Sequence, residues 1–402
     1  MKIEQLLINK KDIDIINNIK NNYSKEKNNK IDYKNKICKK PWGYEFLSYE
    51  SNKIGIWTIN ITKNNKTSLH THFNKDTILI VIKGCVKINL IDEYKILTIM
   101  DIINIPKNKF HSIECITDES TILEIEIFNS ILDFSDKNDL YRINDDYNRE
   151  NIGYEKSVEI STELDKYNYF YFNDNYKDNI FEIINIEPNN IFIYDNNSIN
   201  ILLEGIINNN CLYYKEGSII NFNINNNNEK IKLLKINFSP YLNEEKKIIY
   251  NLEHLELIMN NLRHKKNILT SGCFDIIHIG HLEILKNSKI LGDNLFVCLS
   301  NDKQVKILKG SNRPINNYND RIRLFKTISY VDYIILYDEE DIKNEKTLDK
   351  IMNIVNPLYW TKGTDYIKED IIKKHPRINI KLIENIHNIS TTKLILNINN
   401  SI

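Results

Sequence analysis

The stretch "SGCFDIIHIGH", Ser271 to His281, stands where an apolar run, "NILTSGCF", gives way to a helical pattern, "GHLEILKNSKILG". Such a run reads as a buried strand, and its turn into a helix as the first unit of an α/β sheet. Downstream, "NLFVCLS", "DYIILY", "PLYWTK" and "INIKLI" alternate with further helical patterns such as "NDRIRLFKTI". Strand and helix repeated in this way predict a doubly wound parallel sheet with helices on both faces. Ligands of such sheets bind outside the carboxyl ends of the strands, where this stretch puts His278 and His281.

A helix N-terminus offers unpaired N–H groups and partial positive charge, so it accepts phosphate readily. Gly280 lets the backbone approach a ligand closely. Two imidazoles three residues apart share one helical face and can reach one anion. The fragment alone is read equally well as an anion site or as two partly buried histidines at a helix cap.

The whole chain sets outer limits. Its 402 residues suggest two to four domains at about 100–200 residues each. Lys plus Arg and Asp plus Glu number 54 each, so no global field attracts nucleic acid or an anionic membrane. Apolar runs such as "TILIVIKG" are too short to span a bilayer, and the N-terminus lacks a signal-peptide core. The six cysteines form no C-x-x-C pair and read as buried thiols of a reducing compartment. These features predict a cytoplasmic protein with neither nucleic-acid nor membrane partners.

Organisation changes along the chain. Residues 1–36 hold one weak amphipathic helix followed by a polar arm. From 37 to 132 short alternating strands such as "GIWTINIT", "TILIVIKG" and "STILEIEIF" predict an all-β jelly roll. A polar connector, 133–166, with a short helix precedes a second β-like segment, 167–240. There Gly205 aligns with Gly84, and Gly217 falls near Met100 and Asp101, which reads as a weak internal repeat. A linking helix over 241–266 then leads to the α/β domain, 267–402. The expected fold class is thus multidomain, an all-β tandem region followed by an α/β doubly wound parallel sheet.

The blocks after the opening stretch decide between anion site and helix cap. "KGSNRP", "KGTDY" and "ISTTKLI" follow it in order. This series resembles the H-x-G-H nucleotidylyltransferases of the cytidylyltransferase-like superfamily, especially the heptose-1-phosphate adenylyltransferase type. The resemblance covers Asn267 to Leu396. It implies that His278, His281 and Lys309 meet the triphosphate and the transition state, as charge stabilisers rather than nucleophiles. Gly272, Phe274, Asp275 and Gly280 would shape the nucleotide pocket, and Lys362, Gly363 and Asp365 would sit by ribose and base. Ser390, Thr391 and Thr392 would give hydroxyls and N–H groups to the phosphates, or act as a plain helix cap, or both. Arg313 and Arg321 are open between anion contact and structural roles. Thr364 departs from the family's second glycine, which leaves the base preference open.

In the first β segment, "SLHTHFNKDTILIVIKG" and "IMDIINIPKNKFHSIE" resemble the two signature motifs of cupins. His70 and His72 alternate across Thr71 and so share one strand face. With His111 they would either hold Zn²⁺, Fe²⁺, Mn²⁺ or Ni²⁺ or belong to a metal-free structural cupin. Counting back from Gly84 puts Thr77 where the family has a glutamate ligand, with Asp76 next to it as a substitute. "KKPWGYEFL" resembles the entry segment of sugar-phosphate isomerase cupins, with Trp42 equally at home in a core. The second repeat has no histidine at corresponding positions and is expected to be metal-free.

The resemblances imply an enzyme joining a nucleoside monophosphate from an NTP, ATP before CTP, to a sugar phosphate or polyol phosphate. Pyrophosphate leaves, Mg²⁺ accompanies the NTP, and a homodimer is expected. The alternatives are a CTP-dependent enzyme of the glycerol-3-phosphate type, a bifunctional enzyme whose cupin isomerises or epimerises the sugar phosphate, and a non-catalytic ligand sensor.

Overall fold

The computed structural model describes residues 3–19, 32–128, 139–148, 154, 158–195, 197–209, 212–225, 228–237, 244, 246–336, 346–364, 372–373, 375–376, 378–384, 391 and 394. The chain divides into two compact units, Met1–Leu242 and Asn243–Ile402.

The first unit opens with β1 (Ile3–Gln5) and α1 (Lys10–Ile19). Then come β2 (Ile37–Lys40), β3 (Gly43–Glu50), β4 (Ile54–Thr62), β5 (Leu69–Thr71), β6 (Lys75–Lys83) and β7 (Cys85–Asn89). The first repeat continues with β8 (Tyr94–Thr98), β9 (Ile102–Ile105), β10 (Ser112–Cys115) and β11 (Glu119–Phe128). Two strands lie in the stretch read as a connector, β12 (Tyr141–Asn144) and β13 (Glu159–Ser161). They pair with β5 and β2, so this stretch builds part of the β-domain. Its polar composition hides two strands that are only four and three residues long. The N-terminal segment is likewise built in, because β1 adds parallel to β9 at the edge of an eight-stranded sheet.

Period-two alternation explains the packing. On β6, Leu79 and Val81 face a barrel core with Ile59, Ile61, Ile103 and Ile113. The alternate residues Ile78, Ile80 and Ile82 face a second core. That second core is shared with the next β segment, made of β14 (Phe181–Ile186), β15 (Ser198–Glu204), β16 (Ile207–Asn209), β17 (Leu212–Tyr214), β18 (Ile219–Ile220) and β19 (Ile231–Asn237).

The later segment reproduces the inner order of the earlier one. Strands run β4-β11-β6-β9 in the first and β14-β19-β15-β18 in the second. Val81 receives the Met100 N–H and donates to Asp101, which donates in turn to Thr98. Leu202, Gly217, Ser218 and Lys215 repeat the same three bonds. Met100 (φ 68°) and Gly217 (φ 88°) both take the left-handed conformation that this turn requires.

The second unit is a six-stranded parallel sheet. Its strands are β20 (Ile248–Ile249), β21 (Asn267–Gly272), β22 (Asn294–Leu299), β23 (Tyr333–Leu336), β24 (Tyr359–Gly363) and β25 (Ile380–Ile383). The spatial order is β20-β23-β22-β21-β24-β25. The helices are α2 (Leu252–Leu262), α3 (Ile279–Ile290), α4 (Asp302–Lys309), α5 (Tyr318–Thr327) and α6 (Lys346–Val355). Asparagines start three of them: Asn251, Asn301 and Asn317 accept N–H groups of His254, Gln304 and Asp320. The segment expected to be only a linking helix also supplies β20, an edge strand beside β23. A two-residue strand is too short for periodicity to reveal. Strand order reverses between β21 and β24, and a crevice opens at such a switch point.

Candidate functional sites

In the first unit, His70 and His111 face each other across an antiparallel bridge. Their backbones exchange N–H···O bonds of 3.0 and 2.9 Å, and His72 lies two residues along on the His70 face. All three are buried, and one ring nitrogen from each lies within 4.8 Å of the others. His70 Nδ1 meets the Ser68 carbonyl at 2.7 Å, His111 Nδ1 meets that of Lys109 at 3.1 Å, and His72 Nδ1 meets that of Asp139. A carbonyl can only accept, so each Nδ1 carries the proton and each Nε2 is left as a bare lone pair. The Nε2 atoms of His72 and His111 are buried without a hydrogen-bond partner. Burial, then the charges nearby, holds His70 and His72 well below the usual imidazole value. Burial brings His111 down to about 4. Three neutral, convergent imidazoles with carbonyl-fixed tautomers are the donor set that Zn²⁺, Fe²⁺, Mn²⁺ or Ni²⁺ requires.

Asp76 does not join them. It lies on the strand face of Ile78 and Ile80, and its carboxylate accepts the Lys107 N–H at 2.8 Å. Thr77 does face inward, and its hydroxyl is buried without a partner.

Segments outside the two motifs hold the triad in place. Asp139 fixes His72 through its carbonyl, and its carboxylate accepts the N–H groups of Phe73 and Asn74 at 3.0 and 2.9 Å. Asp12 on α1 pairs with Lys109 at 2.7 Å and accepts the Phe110 N–H at 3.2 Å, bracing the loop that leads to His111.

A cavity beside the triad is lined by His70, His72 and a set of buried charged groups. Lys75 pairs with Glu126 at 2.5 Å. Lys40 lies 3.6 Å above the Tyr154 ring and 3.7 Å from Glu45, which also accepts the Tyr154 hydroxyl. Arg142, opposite His70 in the β12–β5 pair, donates to Ser68 Oγ at 3.2 Å. Trp42 lines the same cavity and packs into the barrel core.

In the second unit, His278 is the N-cap of α3, and His281 follows one turn on. Their rings stack with centroids 3.7 Å apart, and the Nδ1 of each is buried without a partner. The Phe274 ring packs edgewise on His281, with centroids 5.2 Å apart, and at a tilt on Phe325, with centroids 4.9 Å apart. Gly272 is needed beside it, since a Cβ there would lie 2.9 Å from the Phe274 ring. Burial, and then the neighbouring His278, pushes His281 down to about 3; burial lowers His278 as well. Burial thus favours the neutral form of both rings. Gly280 is buried in the first turn of α3.

Across the crevice, Lys362 of β24 reaches β21 and donates to the Ser271 carbonyl and hydroxyl, both at 2.8 Å. Gly363 ends β24, and Thr364 follows it as an exposed residue. Lys309 closes α4, exposed to solvent. Thr391 Oγ1 reaches the Ile276 carbonyl at 3.4 Å, which sets it beside the histidine turn. Asp365, Ser390 and Thr392 lie outside the described residues.

Asp275 is tied to the loop after α4. Burial opposes its ionisation, but the Ile315 and Asn316 N–H groups and Arg313 outweigh that and hold its carboxyl below the usual range. Arg321 is fully buried and joins the ends of β21 and β22. It donates to Cys273 and Ser300 carbonyls, both at 2.6 Å, and pairs with Asp302 at 2.8 Å. Both arginines therefore serve the architecture of the crevice.

Sequence reasoning missed Asp12, Lys75, Glu124, Glu126, Asp139 and Arg142. Two carried a readable signal: Glu124 and Glu126 recur with period two in the apolar strand "ILEIEIF", on the inward face. Asp139 and Arg142 sit in a polar stretch with no pattern to mark them.

Comparison with known families gives two partial matches. Residues 269–396 match the family described as cytidylyltransferase-like, and residues 26–145 match the mannose-6-phosphate isomerase C-terminal family. The chain thus carries a cupin-like β-rich region followed by a cytidylyltransferase-like domain on a parallel sheet. "Bifunctional protein HldE" of a Nitratiruptor species is 36% identical over 149 residues, 37% of this chain and 31% of the relative. The protein of the same name from Helicobacter pylori is 36% identical over 159 residues, 38% of this chain and 33% of the relative. The chain spans about a third of the length of these curated relatives. Among solved structures, a lipopolysaccharide core biosynthesis protein from Thermoplasma volcanium is 29% identical with a TM-score of 0.26, covering 30% of this chain and 96% of that one. A cupin-superfamily sugar phosphate isomerase from Silicibacter pomeroyi is 20% identical with a TM-score of 0.18, covering 19% of this chain and 50% of that one. Among the described residues no helix is long and apolar enough to cross a membrane.

Proposed function

We propose that the second unit is a nucleotidylyltransferase that joins the nucleoside monophosphate of an NTP, ATP before CTP, to a sugar phosphate or polyol phosphate. One observation carries this reading: two neutral, stacked imidazoles with unpartnered Nδ1 atoms at the N-terminus of α3, beside the switch point of the sheet. An oxygen of the acceptor phosphate attacks the α-phosphorus, and pyrophosphate leaves. His278 and His281 donate to phosphate oxygens as charge develops, together with the N–H groups of the first helical turn. Lys362 and Lys309 add positive charge from β24 and α4, and Mg²⁺ comes with the triphosphate. Asp275 and Arg321 keep the strand ends in position. The match over 269–396 and the HldE relatives support the same chemistry.

The first unit, on this reading, holds a divalent transition ion on His70, His72 and His111. When bound, the ion supplies Lewis acidity to a ligand in the cavity. The chain's own residues orient the imidazoles, exclude bulk water and offer charged groups to that ligand.

A pyrophosphate-release screen of four triphosphates against sugar 1-phosphates and polyol phosphates tests the transferase. Release with ATP and one acceptor, lost in His281→Ala, is the expected result. No release above background for any pair, with wild type and variant alike, refutes it.

A further inference from the structure

We propose that Ser271 is a positioning residue for the transfer: its hydroxyl gathers the indole N–H of Trp360 and the ammonium of Lys362, and so fixes where Lys362 stands when the nucleotide arrives. This rests on the transferase reading of the second unit.

Ser271 and Lys362 each lie one residue beyond the paired Thr270 and Thr361, near the carboxyl ends of β21 and β24. These strands flank the point where strand order reverses, so both residues stand at the crevice. Alternation puts Ser271, Trp360 and Lys362 on one face of the sheet, and all three are buried. Lys362 donates to the Ser271 carbonyl and hydroxyl at 2.8 Å each, and Trp360 Nε1 donates to the same hydroxyl at 3.2 Å. An ammonium and an indole N–H can only donate, so the one hydroxyl oxygen accepts from both. The ammonium also stands 4.8 Å from the centroid of the Trp360 ring. That ring is fixed in turn: His375 meets it edge-on with centroids 5.2 Å apart, and His375 Nδ1 lies 2.8 Å from Asp349 on α6. A lysine is a point charge on a flexible stem, and its worth to a triphosphate depends on where the charge is held. The carbonyl, the hydroxyl and the ring face carry no net charge, so they fix the ammonium without cancelling it. Lys362 and Lys309 both act on the thiol of Cys273, in the loop between Ser271 and the histidine turn, which sets the Lys362 charge towards the crevice. Of these three holding groups, only the hydroxyl can be removed without disturbing the strand backbone or the buried indole.

The test is pyrophosphate release by the full chain, with KM read separately for the triphosphate and for the acceptor that the wild type uses best. Ser271→Thr and Ser271→Val have the same shape and differ only in the hydroxyl. The valine variant should raise KM for the triphosphate by about tenfold over the threonine variant, with KM for the acceptor the same in both. Ser271→Ala should behave as the valine variant does. In a Lys362→Met background, where no ammonium remains to be placed, the threonine and valine variants should agree within about twofold. Equal KM for the triphosphate in the threonine and valine variants, or a difference that persists undiminished beside Lys362→Met, would overturn the inference alone. No release by the wild type with any triphosphate and acceptor would overturn it together with the transferase reading.

Discussion

The two histidine clusters differ in what their Nδ1 atoms do. In the triad each Nδ1 is tied to a backbone carbonyl, so the Nε2 lone pairs converge on one point. In the pair each Nδ1 is buried and unpartnered, and the rings stack at 3.7 Å over a helix N-terminus. On the proposed reading, the same side chain serves as a metal donor in one place and as a partner for phosphate oxygens in the other. The groups around it, rather than the histidine itself, set the chemistry.

A third case sharpens the contrast. His254 on α2 is buried with both ring nitrogens unpartnered, and burial lowers it to about 4. Its ring stacks on that of Tyr250 with centroids 6.2 Å apart. An unpartnered ring nitrogen does not by itself mark a site; its place in the fold has to be considered with it.

Three variants probe this comparison. The largest effect is expected from Asp12→Ala, which leaves Lys109 buried without its partner and should cost about 3–5 kcal/mol of first-unit stability. Chemical denaturation followed by tryptophan fluorescence reads it, and a loss under about 1 kcal/mol would mean that α1 does not brace the His111 loop. Asp139→Ala removes the carboxylate that holds the Phe73–Asn74 turn under His72. Metal affinity should fall about 10–100-fold by competition with a chelator, with the pyrophosphate assay unaffected. The smallest effect is that of His254→Phe. Below about pH 6.5 the unfolded chain takes up a proton that folded His254 refuses until about pH 4. Stability from this group is therefore constant above pH 6.5 and falls as pH drops, by about 1 kcal/mol between pH 6.5 and 5.5. The variant should flatten that slope in thermal melts at the two pH values and leave both sites working.

Much of the C-terminal unit was legible because its signals are local. The run into His278 and His281 specifies strand, turn and helix within one short stretch, and Lys362 lies near the end of a strand that its apolar run marks. The role of Arg321 was not legible, since its carbonyl partners at Cys273 and Ser300 are 48 and 21 residues away. In the first unit the triad lay in two recognisable motifs, but its supports come from Asp12 and Asp139, far outside them. Asp76 was misplaced by adjacency in sequence; strand alternation sends it to the opposite face from Lys75 and Thr77. The strands β12 and β13 escaped notice because three or four residues carry too little period to read.

The most direct test of the account is pyrophosphate release, with NTP and acceptor supplied, by the His281→Ala chain beside the His70→Ala/His72→Ala chain. The account predicts a loss of about 10²–10³-fold in the first and near wild-type release in the second. Equal loss in both, or full activity in His281→Ala, would contradict the division of labour between the two histidine clusters.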